Sequence, residues 1–341
     1  MRIAQIAPLM EAVPPKLYGG TERIVAYLTD ELVAMGHEVT LFASGDSSTT
    51  ANLEPGCERA LRLDSTVRDS VAPLLAMLEK VAQRARDFDV VHLHCDYLGY
   101  PVLRRAGVPF LATLHGRLDL PELKLLYRVF SDVPVISISN SQRRPLPEAG
   151  YFATVYHGLP ERLLLPGNGS GGYLAFIGRV SPEKAPDRAI RIAARAGMQL
   201  KIAAKIDPVD RDYFKAEIEP LLAQPHVEFI GEIGEHEKAE FLGNAAGLLF
   251  PITWPEPFGL VMIEAMASGT PVIALRNGSV PEVVDDGITG FVVGDDLAAA
   301  RAAEQIHLLD RSIIRTIFER RFTARRMAED YLRIYQDLTF G

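Results

Sequence analysis

The sequence predicts an α/β protein made of two Rossmann-like, doubly wound domains. Three observations lead there. The chain has 341 residues, more than one ordinary core. Short, continuously apolar runs alternate with longer amphipathic stretches in both halves. A Gly/Asn/Ser-rich stretch at 165–172 breaks that alternation once, as a linker would. Continuous apolar strands separated by helices are covered on both faces, which implies a parallel sheet.

The elements follow in order. Residues 3–7 read as a strand, followed by a loop through Gly19-Gly20. Ile24, Val25, Leu28, Leu32 and Met35 recur at helical spacing, so 22–35 is a helix, and Gly36 stands where a C-terminal glycine belongs. Strands are expected at 39–43, 90–93, 110–114 and 135–138, with a helix over 73–88. Beyond the break, strands are expected at 173–177, 200–204, 227–230, 247–250 and 271–274. A last helix from 324 carries Met327, Tyr331, Ile334 and Leu338 on one face. Two such halves imply a cleft, with ligands beyond the carboxyl ends of the strands. The loops after strands are therefore where chemistry is expected.

Composition narrows the function. Apolar residues make up 48% and charged residues 23%, a globular rather than a disordered balance. With 36 Lys and Arg against 44 Asp and Glu, the formal net charge is −8. That argues against a nucleic-acid coat protein while leaving room for a basic pocket around one phosphorylated ligand. Cys57 and Cys95 are the only cysteines, too few for a disulfide framework or a thiolate cluster. No secretory leader pattern opens the chain and no run of about 18 apolar residues occurs, so a soluble, cytoplasmic protein is expected. On the first helix Glu22, Asp30 and Glu31 outweigh Arg23, which speaks against a basic membrane-docking helix and leaves only weak surface docking.

The densest motif runs from Trp254 to Ala274, with Glu256 in a proline-braced loop and Glu264 in the short helix that starts near Gly259. The first amides of that helix, near Phe258, Gly259 and Leu260, are free to donate to an anion. Eight residues is roughly two helical turns, so the two carboxylates can reach different parts of one long ligand. Read alone, Glu256 could equally be an N-terminal capping acid and Glu264 an exposed helix residue. Arg179 and Lys184 follow a strand and precede a helix, where two cations suit a diphosphate. Gly19 and Gly20 would let backbone approach a ligand closely. His115 ends a strand, and Lys205 follows another, where it could contact phosphate or base. His92, His94 and Asp96 look like a metal cluster on paper, with both histidines on one strand face. Asp46 reads as a capping or acceptor-side residue, His157 as a turn residue and Trp254 as an aromatic wall or a packed anchor.

The run from Glu256 to Glu264, with Phe258-Gly259-Leu260 and Glu264-Ala265-Met266-Ala267 through Thr270-Pro271-Val272-Ile273-Ala274, resembles the signature of retaining glycosyltransferases of family four, which have the GT-B fold. The likeness continues through Gly278-Ser279-Val280-Pro281-Glu282 and Gly290-Phe291-Val292-Val293, and is weaker at Gly19-Gly20-Thr21-Glu22 and Gly36-His37-Glu38-Val39. It implies two domains, 1–165 on the acceptor side and 166–323 on the donor side, with the helix 324–341 packing back on the first. It also implies that Arg179 and Lys184 hold the diphosphate, that the Gly19-Gly20 loop borders diphosphate and acceptor, and that His115 lies beside the donor sugar. The family pattern has Gly after the lysine, and this chain has Ala185.

The reading that follows is a hexosyltransferase using a nucleotide diphosphate sugar, UDP- or GDP-linked, with retention of configuration and neither cofactor nor metal. Glu264 would hold the ribose and Glu256 the donor sugar, with Lys205 a further donor contact. The acceptor stays unidentified, either soluble or weakly membrane-associated, and no nucleic-acid partner is expected. The alternatives are a GT-B nucleotide-sugar epimerase and a non-catalytic nucleotide-sugar binding protein. A phosphorylase would need a pyridoxal lysine motif, which the chain lacks.

Overall fold

The computed structural model describes residues 1–16 and 19–340, so the expected loop 8–20 includes two positions, Leu17 and Tyr18, outside the described residues. The chain divides into two compact units. Unit 1 is Met1–Pro160 together with the C-terminal helix Ala324–Phe340, and unit 2 is Glu161–Thr323.

Unit 1 is built on β1 (Arg2–Ile6), β2 (Glu38–Ser44), β3 (Asn52–Cys57), β4 (Val90–Leu93), β5 (Phe110–Leu114), β6 (Val135–Ser137) and β7 (Tyr151–Thr154). They form one parallel sheet in the order β3-β2-β1-β4-β5-β6-β7. Unit 2 carries β8 (Leu174–Arg179), β9 (Leu200–Lys205), β10 (Val227–Gly231), β11 (Gly247–Phe250), β12 (Val272–Leu275) and β13 (Gly290–Val293). These are also parallel, in the order β10-β9-β8-β11-β12-β13. Both units are doubly wound α/β sheets, the expected fold class. Strand order reverses between β1 and β4 and between β8 and β11. In open parallel sheets the loops leaving the strands on either side of such a reversal run in opposite directions, and ligands bind there, beyond the carboxyl ends of the strands.

Three strands escape the apolar-run criterion, namely β3, β7 and β13. Each lies at a sheet edge. β3 contains Pro55 and Gly56, which an edge strand tolerates and a central one does not. The first helix spans Gly20–Ala34, and Gly36 beyond it adopts φ +85°, the left-handed turn that stops it.

The glycine-rich stretch 165–172 is a packed strap rather than a loose tether. Gly167 N donates to Ser268 O at 3.0 Å, Gly169 N to Gly243 O at 2.9 Å and Gly171 N to Asn244 O at 3.0 Å. A Cβ on Gly167 would sit 2.2 Å from Gly243 O, so glycine is required here for close approach of two backbones. Arg311 and Arg315, on the helix Arg311–Arg321, hold the same segment through the carbonyls of Gly167 and Leu164 at 2.9 Å each.

In unit 1 the core joins Ile6, Leu93, Ala112 and Val135 of the sheet to Met77, Leu103 and Leu123 of its helices. On the C-terminal helix Met327, Tyr331, Ile334 and Tyr335 are buried. Leu174, Phe176, Ile202 and Leu249 of unit 2 pack against Ile190 and Ala299.

Candidate functional site

In unit 2 the loops that leave β8 and β11 at the switch point carry the predicted cations and Glu256. Thr253 ties the two loops together, its N donating to Glu183 O at 3.0 Å and its Oγ1 to Pro182 O at 3.1 Å. This brings Lys184 to Glu256, with which it forms an ion pair. Trp254 Nε1 donates to the same Glu256 Oε2 at 2.8 Å, and the Lys184 ammonium lies 5.5 Å from the Trp254 ring centroid and 5.8 Å from that of Phe250. Gly278 runs against the backbone of Glu256, where a Cβ would come within 2.4 Å of its N, and Ser279 N donates to Glu256 O at 3.0 Å. The Glu256 backbone is thus clamped from behind. Trp254 is half-buried and belongs to this group through its contacts with Glu256 and Lys184.

Arg179 ends β8, and Lys205 ends β9 in register with it. The guanidinium is flanked by Asp210 at 3.0 Å and Glu183 at 3.3 Å. Ala185, where the family pattern has glycine, adopts φ +52° and ψ +56°. The left-handed backbone that glycine would take without strain is therefore kept by an alanine.

Glu264 lies within the helix Leu260–Ala267 and is buried, its Oε1 accepting from Lys238 Nζ at 2.7 Å. Lys238 comes from the helix Glu235–Asn244 and was not singled out in the sequence. Both side chains are largely inaccessible, so the pair is a desolvated one and Glu264 is no exposed helix residue. Gly259 precedes the helix at φ +79°, the reason a glycine opens it. Leu260 begins the helix and is half-buried. The Phe258 side chain points into the core, packed edge-on against Phe322 at 6.3 Å, so only its backbone can serve a ligand.

In unit 1, His115 follows β5. Gln142 Nε2 donates to Leu114 O at 2.8 Å and to Gly116 O at 2.9 Å, pinning the backbone on both sides of it. The His157 ring stacks on His115 at 5.3 Å with 16° between planes, so His157 is more than a turn residue. His115 Nε2 meets His94 Nδ1 at 2.9 Å, and His94 Nε2 meets Gln5 Oε1 at 2.7 Å. His92 and His94 do share a face, with ring centroids 3.9 Å apart. Their nitrogens are taken by Gln5, Tyr335, Thr113 and His115. Among the described residues no group of three or more metal-ligating side chains is placed to hold an ion. Burial keeps all four imidazoles neutral: it drives His92, His94 and His157 well below the ordinary histidine value and pushes His115 down to about 3.

Gly19 is buried before the first helix of unit 1, and a Cβ there would come within 2.8 Å of Pro15. Gly20 begins the helix and is exposed. Asp46 caps a turn by accepting from Ala60 N at 2.9 Å. Sequence reasoning missed Gln5, Gln142, Lys238 and Tyr335. The available signals were a glutamine inside an apolar strand and two tyrosines four apart on an apolar helix face.

Residues 167–320 match the glycosyl transferases group 1 family and residues 18–158 match glycosyltransferase family 4. The chain belongs to the family 4 glycosyltransferases. Its sheets are those of the GT-B fold. The D-inositol 3-phosphate glycosyltransferase of Streptomyces avermitilis is 28% identical, over 82% of this chain and 74% of that one. The phosphatidyl-myo-inositol mannosyltransferase of Mycobacterium leprae is 27% identical, over 98% of this chain and 96% of that one. Among solved structures, Anabaena HepE in complex with UDP and glucose superimposes with a TM-score of 0.76 at 21% identity, covering 99% of this chain and all of HepE. No described helix is long and apolar enough to cross a membrane.

Proposed function

We propose that this glycosyltransferase moves a hexose from a UDP- or GDP-sugar to an acceptor hydroxyl, with retention at the anomeric carbon and without a metal ion. The observation that carries this reading is the switch point of unit 2, where two carboxylates eight residues apart are each held by a lysine, Glu256 by Lys184 and Glu264 by Lys238. Negative charge grows on the diphosphate as the glycosidic bond breaks. Lys184 and Arg179 meet that charge, and cations already fixed in place stabilise the transition state more than the ground state. Before the donor arrives, Glu256 and the pair Glu183 and Asp210 compensate those cations, because an unpaired half-buried charge is costly.

Glu264 takes the ribose hydroxyls and Glu256 the donor sugar. The amides at Gly259 and Leu260 add donors to sugar and phosphate, with Phe258 contributing backbone alone. Lys205 supports the diphosphate beside Arg179. Unit 2 serves the donor and unit 1, with its C-terminal helix, serves the acceptor. There His115 accepts from a sugar hydroxyl and Gly19 and Gly20 border the diphosphate. No covalent nucleophile is assigned; the acceptor attacks on the face that the diphosphate leaves. The UDP and glucose held by HepE support the donor class. The acceptors named in the two relatives support an inositol-type polyol acceptor.

The test is a panel of UDP-, GDP-, ADP- and dTDP-hexoses with and without inositol phosphate. Net transfer with retention is expected from UDP- or GDP-hexose. Arg179→Ala and Lys184→Ala should each lower turnover by roughly 30- to 1000-fold, about 2–4 kcal/mol. Epimerised donor, or binding without turnover, would replace this reading with one of its two alternatives.

A further inference from the structure

The hydrogen bonds of unit 1 contain a direction. Gln5 sits in the middle of β1, fully buried, and its Nε2 donates to Tyr335 OH at 3.0 Å. The phenol then spends its own proton on His92 Nδ1 at 2.7 Å, and His92 Nε2–H donates onward to Thr113 Oγ1 at 2.7 Å. On the other side, Gln5 Oε1 can only accept, so His94 Nε2, 2.7 Å away, must carry a hydrogen. A neutral His94 then has a bare Nδ1, which accepts from His115 Nε2–H at 2.9 Å. His115 is left with its proton on Nε2. Its Nδ1 is buried and has no hydrogen-bond partner among the described residues.

We propose that Gln5 and His94 are positioning residues that impose the Nε2–H tautomer on His115, so that its Nδ1 lone pair is kept to accept a hydrogen bond from a hydroxyl of the sugar substrate. The inference rests on His115 being a group that touches sugar, and it adds what selects the state in which His115 does so. An imidazole alone populates both tautomers, and the wrong one would present a donor where an acceptor is needed. The amide at the far end of the chain decides between them. Gln142 pins the backbone on both sides of His115, and the His157 ring stacks against its face. Because Tyr335 completes the network, the C-terminal helix is coupled to His115 through three side chains.

The test is long-range proton–nitrogen correlation on the full chain labelled with ¹⁵N-histidine, with His115 assigned by the loss of its signals in His115→Asn. In the free wild-type protein at neutral pH, His115 should show a pyrrole-type Nε2 and a pyridine-type Nδ1. Gln5→Leu should mix the two tautomers of His94 and His115 and lower kcat about tenfold, with nucleotide Kd unchanged. Gln5→Glu, which keeps the acceptor, should retain the wild-type tautomer of His115. A protonated Nδ1 in the wild type would overturn the proposal on its own, whether or not any variant folds. So would a Gln5→Leu protein with unaltered tautomers, or one with shifted tautomers and wild-type kcat. The spectrum is read without substrate, so failure of the donor panel would count against the functional reading and leave the tautomer result standing.

Discussion

Each sheet reverses its strand order once, and each gathers buried polar groups at that place, but the two units solve the same problem with opposite chemistry. At the switch point of unit 1 the groups are Gln5, His92, His94 and His115, closed by Thr113 and two tyrosines. At the switch point of unit 2 they are ammonium–carboxylate pairs, Lys184 with Glu256 and, on the flanking helices, Lys238 with Glu264. A neutral network avoids the desolvation cost of burying ions and can orient hydroxyls, but it cannot answer a dianion. A charged network can, and its carboxylates keep the cations compensated until the ligand comes. The difference puts neutral hydrogen-bonding groups at one switch point and paired charges at the other.

Acid should separate the units most widely. The folded-state values of His92, His94, His115 and His157 are lowered, so the unfolded chain binds protons first as pH falls below about 6.5. Stability from these groups is therefore full above that value and is lost progressively on acidification, down toward the folded value of about 3 for His115. Each contributes a slope of about 1.4 kcal/mol per pH unit, and four give on the order of 5. Burial raises Glu22, Glu31 and Asp96, which act with the opposite sign and offset part of the loss nearer the carboxylate range. Thermal unfolding should fall steeply between pH 7 and 5, with amides of β4 and β5 losing exchange protection before those of β8 and β11. Loss of protection first in unit 2 would break the comparison.

The smallest effect concerns backbone rather than charge. Ala185 holds a left-handed conformation beside Lys184. Such a conformation costs an alanine about 1–2 kcal/mol, part of which glycine gives back through its freer unfolded state. Ala185→Gly should raise stability by about 0.5–1 kcal/mol in urea titration. A loss of stability would mean that the alanine methyl packs well enough to outweigh the strain.

Much of this was legible in the sequence because central strands are continuous apolar runs and the loops after them can be counted. Gly278 and Ser279, part of the motif that carries the resemblance, prove to be the clamp behind Glu256. What spacing could not show was partnership over distance. Gln5 finds a partner at Tyr335, 330 residues away, and Lys238 reaches Glu264 from a neighbouring helix. A linker composition was misleading for a related reason. Glycines at 167, 169 and 171 serve hydrogen-bonded contact between backbones, and composition does not distinguish that use from flexibility. Three of the four edge strands, β3, β7 and β13, were not expected from the sequence, whereas the fourth, β10, was.

Calorimetric titration of UDP and GDP into Glu264→Gln and Glu256→Gln tests the central claim, that unit 2 grips the nucleotide and the sugar with different carboxylates. Ribose does not change during transfer, so its contact appears as uniform binding, whereas a contact to the reacting sugar appears in turnover. Glu264→Gln should weaken binding of the free nucleotide diphosphate. Glu256→Gln should bind it like the wild type and lose turnover instead. Wild-type nucleotide affinity in both variants would contradict the assignment of Glu264 to the ribose.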